Sequence, residues 1–321
     1  MQPRILVTGA NGFVGRPVCS ELARRGFAVR AAVRDAARGA GLEAEIAPVG
    51  SIGPDTDWSA ALKDVDAVIH LAARVHVMRE TAADPLSEFR ALNVAGSETL
   101  AHAAAAAGVR RIVYVSSIKV NGEATFVTPF TADDIPRPQD PYGISKWEAE
   151  QGLQRIGAAT GLEVAIVRPP LVYGPRVGGN FLRLLTLVRR GVPLPLGSVQ
   201  NRRSMVYSGN LASALAACAI HPQAAGNTYL VSDGEDLSTP ALVRQMAVLM
   251  GVRAPLWHVP PVVLSGAAAL VGKRAEVQRL TGSLTVDGSP LRETLGWTPP
   301  FTVAEALTET TRWFCGAKSD A

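Results

Sequence analysis

The chain has 321 residues, of which 47% are hydrophobic and 19% are charged, and its formal net charge is +4. A chain of this length buries about three quarters of its unfolded surface, so its core needs no disulfide or metal cross-link. Three widely spaced cysteines, Cys19, Cys218 and Cys315, exclude a zinc ribbon and a disulfide framework and favour a cytoplasmic location. The basic residues are scattered along the chain, whereas nucleic-acid binding requires a basic face.

Membrane insertion and export are not expected from the hydropathy pattern. The most apolar stretch, residues 262–272, is shorter than the about 20 residues that a membrane-spanning helix needs. The N-terminus leads directly into a strand-like run and lacks the charged and apolar regions of a signal peptide.

Predicted strands and helices alternate along the first half of the chain. The apolar, β-branched runs predict strands at 5–7, 28–33, 44–49, 67–72, 112–115 and 164–167. Amphipathic or Ala-rich segments predict helices at 13–25, 58–63, about 86–108 and about 141–160. Apolar strands separated by helices indicate an α/β fold, a doubly wound parallel sheet covered on both faces.

The composition changes after Tyr173, where glycines and prolines interrupt the alternation. A helix near 210–220 and a strand near 228–231 then return and are expected to rejoin the sheet. We therefore predict a dinucleotide-binding domain of residues 1–174 plus about 205–233. A smaller C-terminal α/β domain, of about 175–204 plus 234–321, is expected to bind the substrate.

A glycine-rich loop lies between the first predicted strand and the first predicted helix. Gly9, Gly12 and Gly15 are spaced GxxGxxG, with Asn11, Phe13 and Val14 between them. Glycine permits backbone to approach a pyrophosphate closely, and the helix N-terminus that follows offers free N–H groups to phosphate. The position of the loop favours a Rossmann-type dinucleotide site over a structural turn.

The residue that reads the cofactor ribose is expected at the end of the second strand, about twenty residues after this loop. Arg34 stands there and offers a planar cation suited to a 2′-phosphate, which favours NADP. The neighbouring Asp35 could instead bond a ribose hydroxyl, so NAD stays open.

Tyr142 and Lys146 are four residues apart on a predicted helix and therefore share one face. A nearby ammonium, together with an oxidised nicotinamide, is expected to lower the tyrosine pKa toward neutral pH. Ser116 and Ser117 follow the strand at 112–115, at the sheet edge where open α/β sheets bind ligands. Ser117 is expected to hydrogen-bond the substrate oxygen whose proton Tyr142 exchanges.

The histidines show no metal-ligand spacing. His70 and His76 are six residues apart, which suits neither one helix face nor a strand pair, and no metal site is predicted.

These motifs together resemble the extended short-chain dehydrogenases/reductases of the NAD-dependent epimerase/dehydratase family, over nearly the whole chain. A closer resemblance, through runs at 179–185, 201–204, 231–238 and 282–287, is to bacterial polysaccharide-locus enzymes acting at C4 of UDP-linked N-acetylhexosamines. The family resemblance implies that Ser117, Tyr142 and Lys146 are catalytic and that Asn93 is the structural asparagine. It further implies a set of cofactor-binding residues: Gly9, Asn11, Gly12, Phe13, Val14, Gly15, Arg34, Leu71, Ala72, Ala73, Asn93, Ser116, Tyr142, Lys146, Pro169, Leu171 and Val172.

The resemblance also implies a substrate site. Asn180 and Arg203 fall where relatives hold the nucleotide diphosphate, and Arg279 is a candidate second phosphate clamp. The chain departs from the family pattern at Asn121, where tyrosine is common, and at 208–210, where an aspartate is common. Both departures are expected near the substrate. Ile118 and Lys119 replace the acidic residues of dehydratases and disfavour that reaction.

The predicted function is therefore NAD(P)-dependent chemistry at C4 of a UDP-hexose or UDP-N-acetylhexosamine in surface polysaccharide biosynthesis. The enzyme is either a 4-epimerase or a 4-keto-6-deoxy-sugar reductase. The alternatives are a carbonyl reductase of the dihydroflavonol-reductase type and a non-catalytic NAD(P)-sensing protein. A homodimer formed through the helices near 86–107 and 141–160 is also predicted.

Overall fold

The computed structural model describes residues 2–75, 84–270 and 274–316. His76, from the histidine analysis above, lies outside these ranges.

Nine strands occur in the described ranges: β1 (Arg4–Thr8), β2 (Ala28–Val33), β3 (Glu45–Pro48), β4 (Ala67–His70), β5 (Arg111–Val115), β6 (Glu163–Arg168), β7 (Leu171–Tyr173), β8 (Met205–Tyr207) and β9 (Thr228–Leu230). Seven of them form a parallel sheet in the order β3-β2-β1-β4-β5-β6-β9, and β7 pairs with β8 in a second, two-stranded sheet. The order reverses between β1 and β4, where doubly wound folds place their ligands. The Rossmann-type prediction is confirmed, and the predicted strand near 228–231 does rejoin the sheet.

Helices cover the sheet and build the C-terminal part of the chain. Within the described ranges they are α1 (Gly15–Arg24), α2 (Ser59–Leu62), α3 (Pro85–Phe89), α4 (Gly96–Ala106), α5 (Pro141–Thr160), α6 (Gly179–Arg189), α7 (Ser208–Ile220), α8 (Thr239–Leu249), α9 (Pro261–Leu270), α10 (Arg274–Thr281), α11 (Ser289–Leu295) and α12 (Val303–Gly316). A π-helical turn, Arg90–Ala95, joins α3 to α4. The single helix predicted at about 86–108 is therefore two helices separated by a wider turn.

The central strands are apolar on both faces because each face packs against helices. Ile5 and Val7 of β1 lie in a core with α1 and α7, while Leu6 between them lies in a second core with α4 and α5. All three side chains are at most 1% exposed. The continuous apolar run is thus the pattern that a doubly covered parallel sheet requires.

Helix α5 has the bounds that the sequence predicts, because both ends carry strong signals. Asp140 caps the N-terminus by accepting the Gly143 N–H at 2.7 Å, and Pro141 occupies the first helical position. Gly161 ends the helix with a left-handed φ of 81°. The helix start is therefore fixed to the residue, which matters because Tyr142 lies in its first turn.

A separate hydrophobic cluster is built mainly from α6, α8 and α12, and Tyr173 and Tyr207 at the ends of β7 and β8 contribute to it. The sequence analysis did not predict β7 or β8, since three-residue strands carry no periodicity. The division into two domains stays a prediction. No helix in the described part of the chain is long and apolar enough to cross a membrane.

Candidate active site

The glycine loop lies where β1 and β4 end, at the reversal of the strand order. A Cβ on Gly15 would lie 2.2 Å from the Gly9 carbonyl oxygen, and a Cβ on Gly9, where φ is +65°, would lie 3.0 Å from the Ala72 nitrogen. Any side chain at these two positions would displace backbone. The loop is therefore packed directly against the end of β4, and α1 starts immediately after it. This close approach fits a bound pyrophosphate.

The end of β2 places Arg34 and Asp35 in different roles. Asp35 accepts the Arg38 N–H at 3.2 Å and pairs with the Arg38 guanidinium at 3.0 Å, so its carboxylate caps the following 3₁₀ turn. Arg34 is exposed beside it. The carboxylate that could have bonded a ribose hydroxyl is thus already held by its own turn.

The predicted catalytic residues Ser117 and Tyr142 lie together. The Ser117 side chain lies close enough to the Tyr142 phenol to lower its pKa, and it accepts the Lys119 N–H at 3.3 Å. The Tyr142 ring makes an edge contact with Phe89, with centroids 6.0 Å apart. Strand β5 and helix α5 therefore bring the serine and the tyrosine into contact across 25 residues of chain.

Burial shifts the pKa values of both Tyr142 and Lys146. It raises the pKa of Tyr142 to about 12, the negative charge of Asp140 acts in the same direction, and the Ser117 side chain opposes both. Burial also lowers the pKa of Lys146 to about 7, with Glu150 opposing this shift. Burial therefore outweighs any effect of the lysine on the tyrosine pKa in the chain alone. The predicted lowering by the ammonium together with an oxidised nicotinamide stays a prediction.

Lys146 is held inside the fold below the site. It is 2% exposed, and its Nζ lies 4.3 Å from the centre of the Tyr114 ring, a cation–π contact. Ser116 is 3% exposed, and its hydroxyl has no hydrogen-bond partner in the described part of the chain. A buried, unpaired hydroxyl at the end of β5 fits the predicted role of Ser116 beside a polar cofactor group.

Asn93 lies in the π-helical turn and ties three segments together. Its Oδ1 accepts the Arg74 N–H at 2.8 Å, and its Nδ2 donates to the Arg74 carbonyl at 3.1 Å and to Ser145 Oγ at 3.0 Å. The Ser145 hydroxyl in turn donates to the Tyr142 carbonyl at 2.8 Å. Asn93 thus connects the segment after β4 with the first turns of α5, as expected of a structural asparagine.

A buried ion pair that the sequence analysis missed lies one turn beyond Lys146. Arg168 donates to both oxygens of Glu150, at 2.9 and 2.6 Å, and the two side chains are 3% and 0% exposed as residues. Arg168 also donates to Asn121 Oδ1 at 3.1 Å. Asn121 is 2% exposed, so this departure from the family pattern is buried against Arg168, and its place near the substrate stays a prediction.

Among the segments expected to line the cofactor, residues 169–172 follow Arg168 directly. The Pro169 carbonyl accepts the Ile118 N–H at 3.0 Å, which ties this segment to the turn after Ser117. Leu171 opens β7 and is 40% exposed, whereas Val172 is half-buried. The exposed Leu171 is thus available to a ligand at the same edge of the sheet.

The three predicted substrate residues are only partly brought together. Arg203 Nη1 donates to the Arg279 carbonyl at 2.8 Å and to the Gly282 carbonyl at 3.1 Å, at the end of α10. Burial lowers the pKa of Arg203, and Glu123 opposes this. The Arg279 side chain is exposed, and so is Asn180 in the first turn of α6. No hydrogen bond between described residues links Asn180 to this pair.

Asp233 is a second buried polar centre that the sequence analysis missed. It accepts hydrogen bonds from the Tyr173 hydroxyl, the Tyr207 N–H and Asn210 Nδ2, each at 2.8 Å. Burial raises its pKa, and these hydrogen bonds oppose the shift. Asn210 stands in the segment where relatives commonly carry an aspartate, and here its amide is needed as a donor to Asp233. The asparagine at this departure from the family pattern therefore pairs with a carboxylate inside the fold.

Among the described residues, no group of three or more His, Cys, Asp and Glu side chains is arranged to hold a metal ion.

The doubly wound sheet, with a glycine loop at its reversal point, defines a dinucleotide-binding α/β enzyme. The NAD dependent epimerase/dehydratase family matches residues 5–232, and the chain belongs to this family. The resemblance stated from the sequence is thereby confirmed, and the cofactor is a nicotinamide dinucleotide.

Two full-length relatives and one solved structure illustrate the similarity. The chain is 43% identical to a UDP-glucose 4-epimerase of Vibrio cholerae over 99% of this chain and 98% of that protein. It is 27% identical to an N-acetyl-alpha-D-glucosaminyl-diphospho-ditrans,octacis-undecaprenol 4-epimerase of Escherichia coli O157:H7, over 100% and 98% of the two chains. MoeE5, solved in complex with UDP-glucose and NAD, superposes with a TM-score of 0.78 at 26% identity, covering 98% of this chain and 99% of MoeE5.

Proposed function

We propose that the protein is a UDP-hexose 4-epimerase that inverts the C4 hydroxyl of a UDP-glucose or UDP-N-acetylglucosamine. The 43% identity to a 4-epimerase over 99% of the chain carries the proposal, and the contact between Ser117 and Tyr142 supports it. The 4-keto-6-deoxy reductase remains the second candidate, since the exposed Arg34 suits NADPH, the usual reductant of biosynthesis.

The proposed chemistry at the sugar assigns one task to each of three side chains. Tyr142 holds and exchanges the proton of the C4 oxygen, and Ser117 hydrogen-bonds that oxygen and keeps it in line with the phenol. Lys146 holds the nicotinamide ribose from its buried position under Tyr142. The cofactor, when bound, accepts and returns the hydride at C4.

The raised pKa of Tyr142 decides which proton state begins the reaction. At about 12, it keeps the phenol protonated at neutral pH. Proton removal from the sugar therefore requires that positive charge be added beside the phenol, from Lys146 in its protonated form and from the oxidised nicotinamide. We infer that cofactor binding is what makes Tyr142 a base.

The cofactor is proposed to lie across the end of β1 and β4, with its pyrophosphate on the loop from Gly9 to Gly15. Its nicotinamide end would then lie among Leu71, Ala72, Ala73, Ser116, Pro169, Leu171 and Val172. Arg34 is proposed to contact the adenosine ribose and to favour its 2′-phosphate. Comparing the dissociation constants of NADH and NADPH for the protein with those for Arg34→Ala tests this preference. A wild-type protein that binds NADH more tightly contradicts it.

The sugar nucleotide is proposed to bind between the sheet edge and the second domain, with its diphosphate near Asn180, Arg203 and Arg279. Arginine suits this task because its guanidinium can bond two phosphate oxygens at once. We also propose a homodimer formed by the α4 and α5 surfaces, and a role in supplying sugars for surface polysaccharide. Light scattering on the purified protein tests the dimer, and a monomer mass contradicts it.

The deciding experiment incubates the purified protein with UDP-glucose, UDP-N-acetylglucosamine and a UDP-4-keto-6-deoxy sugar, each with and without NAD(P)H, and follows the products by proton NMR. Formation of the C4 epimer without added reductant is the expected result. Stoichiometric oxidation of NAD(P)H with the keto-sugar supports the reductase instead. No UDP-sugar turnover, together with reduction of small carbonyl compounds, supports the carbonyl reductase.

Tyr142→Phe separates an enzyme from a cofactor-sensing protein. Removing the phenol hydroxyl should lower kcat by about a thousandfold, since a general acid–base contributes about 10²- to 10⁴-fold. The dissociation constant of the nicotinamide cofactor should change little. Tyr229→Phe is the matched control, because its hydroxyl bonds the Gln223 carbonyl at 3.1 Å on the far edge of the sheet. Unchanged turnover in Tyr142→Phe eliminates the mechanism.

A further inference from the structure

We propose that His70, in its neutral form with the proton on Nε2, is a positioning residue that couples the glycine loop to the catalytic helix. The inference rests on the proposed function only for its effect on turnover. His70 ends β4 and is 1% exposed. Its two ring nitrogens bond side chains that belong to the two halves of the candidate site.

The first arm of this coupling runs through Thr8, the residue before Gly9. The Thr8 hydroxyl oxygen accepts the N–H groups of Leu71 and Ala72, both at 3.1 Å. It lies 2.6 Å from His70 Nδ1. Thr8 therefore connects the start of the glycine loop with the strand end that is expected to line the cofactor.

The second arm runs through Ser97 to the π-helical turn. His70 Nε2 lies 2.9 Å from Ser97 Oγ, and Ser97 Oγ lies 2.6 Å from the Asn93 carbonyl oxygen. From Asn93 the path continues by its Nδ2 to Ser145, and by the Ser145 hydroxyl to the Tyr142 carbonyl. This arm therefore ends on the backbone of the candidate catalytic tyrosine.

The direction of every bond in this path is fixed by the carbonyl of Asn93. A carbonyl can only accept, so the single Ser97 proton points to it. Ser97 must then accept from His70, which places the ring proton on Nε2 and leaves Nδ1 as an acceptor. Thr8, which already accepts two N–H groups, must therefore donate to Nδ1. One tautomer satisfies all the groups, and the opposite tautomer would leave the Asn93 carbonyl without this donor.

The charge state of His70 supports the same assignment. Burial lowers its pKa to about 3, and the nearby Lys146 charge acts in the same direction. The other ring packed against it is Tyr114, with centroids 5.7 Å apart. A doubly protonated His70 ring would also direct a third N–H donor at the Thr8 hydroxyl oxygen, which already accepts two. The tautomer, and with it the direction of the path, is thus constant wherever the protein is folded near neutral pH.

Two variants test one arm each while keeping the ring in place. Thr8→Val removes the donor to Nδ1 and should raise the dissociation constant for NADH about tenfold while kcat stays within about twofold. Ser97→Ala removes the acceptor of Nε2 and should lower kcat about tenfold without weakening NADH binding. A role in packing alone would lower only the melting temperature in both variants.

Replacing His70 itself provides the matched pair. In His70→Asn the amide can stand in for Nδ1 and reach Thr8, so NADH binding should be retained and kcat lowered. In His70→Gln the amide can stand in for Nε2 and reach Ser97, and the two effects should be exchanged. If kcat and the NADH dissociation constant both remain within about twofold in all four variants, the coupling is excluded.

The test separates this inference from the proposed epimerase activity. NADH binding requires no sugar substrate, so the Thr8 arm can be measured even if the wild-type protein turns over no UDP-sugar. Amide hydrogen exchange at residues 89–97 and 141–146 is the second readout of the other arm. Ser97→Ala should accelerate exchange at both segments, and acceleration at 89–97 alone contradicts a path that reaches Tyr142.

Discussion

The two halves of the molecule stabilise buried charge in different ways. On the buried face of the catalytic helix α5, the Glu150 carboxylate meets the full opposite charge of Arg168. At the ends of β7 and β8, the Asp233 carboxylate is surrounded by neutral donors, namely Tyr173, Asn210 and the Tyr207 N–H. Arg203 and Arg279, the arginines proposed to bind the substrate, are half-buried or exposed near a helix end.

This difference distinguishes the residues proposed to carry out the chemistry from the residues proposed to select the substrate. Tyr142, Ser117 and Lys146 are fixed by α5, β5 and a buried polar path, so their geometry is set when the sheet forms. Asn180 and Arg279 lie at a helix start and near a helix end with exposed side chains, where substitutions cost the fold little. We therefore expect variants of the first region to change stability and turnover, and variants of the substrate residues to change mainly substrate affinity.

The strongest test of this comparison removes one charge of the buried pair. Glu150→Gln leaves Arg168 charged and without its carboxylate, and should lower the free energy of unfolding by about 3–5 kcal/mol. The control is Glu309→Gln, which removes the partner of Arg312 on the exposed face of α12 and should cost less than about 1 kcal/mol. Urea denaturation measures both, and equal losses would refute the distinction.

Asn210→Asp tests the second region by placing a second carboxylate beside Asp233. The free energy of unfolding should fall by about 2–4 kcal/mol, because a donor is lost and two like charges meet. Burial already raises the pKa of Asp233, and the new charge raises it further. The folded state then binds more protons than the unfolded state, so the loss should be larger at pH 8 than at pH 5.

Asn227→Asp is the matched control for this experiment, since Asn227 is exposed and its amide bonds the nearby Gln223 and Ala225 carbonyls. It should change stability by less than about 0.5 kcal/mol at either pH. A loss in Asn210→Asp that does not depend on pH would show that the two carboxylates do not interact.

Lys146→Met tests the cost of a buried ammonium in the catalytic half. Burial lowers the pKa of Lys146 to about 7, so between pH 7 and about 10 the unfolded state binds one more proton than the folded state. The stability of the wild type should therefore rise over this range through this group. The variant should lose that rise and be more stable at pH 7 by at least about 1 kcal/mol, while turnover disappears. A variant less stable at pH 7 would contradict this.

The smallest effects are expected at the substrate arginines. Arg203→Gln should raise the KM for the UDP-sugar about tenfold, as expected for the loss of one charge-assisted hydrogen bond. Arg279→Gln should raise it about threefold, as expected for the loss of one solvated charge. Only Arg203→Gln should lower the melting temperature, because Arg203 also bonds the Arg279 and Gly282 carbonyls. A change of kcat in either variant would place that arginine nearer to the chemistry.

Much of the sheet could be predicted because its signals are local. The strand at 28–33 and the helix at 141–160 match β2 and α5 residue for residue. The apolar run that marks the strand and the caps that mark the helix are both local in sequence. Strands β7 and β8 could not be predicted, because three residues define no period and their pairing spans more than thirty residues. The π-helical turn also gave no signal, since its composition is that of an ordinary helix.

The candidate site could be predicted where its motif is short in sequence. It could not be predicted where its contacts join segments that are distant in sequence. Tyr142 and Lys146 are one helical turn apart, and their positions follow from spacing alone. The partners of Asp233 come from three other segments, and Thr8 lies 62 residues from His70. The direction of the Tyr142 pKa depends on burial, which a sequence motif does not report.

The π-helical turn before α4 contains one residue more than an α-helical path between the same ends would need. Since each α-helical residue rotates the chain by about 100°, the side chains of α3 and α4 are out of phase by that angle. Deleting a single residue at 90–95 would restore a regular helix and rotate Asn93 away from Arg74 or Ser97 away from His70. Any chimera that exchanges this segment with another enzyme must therefore preserve its residue count as well as its sequence.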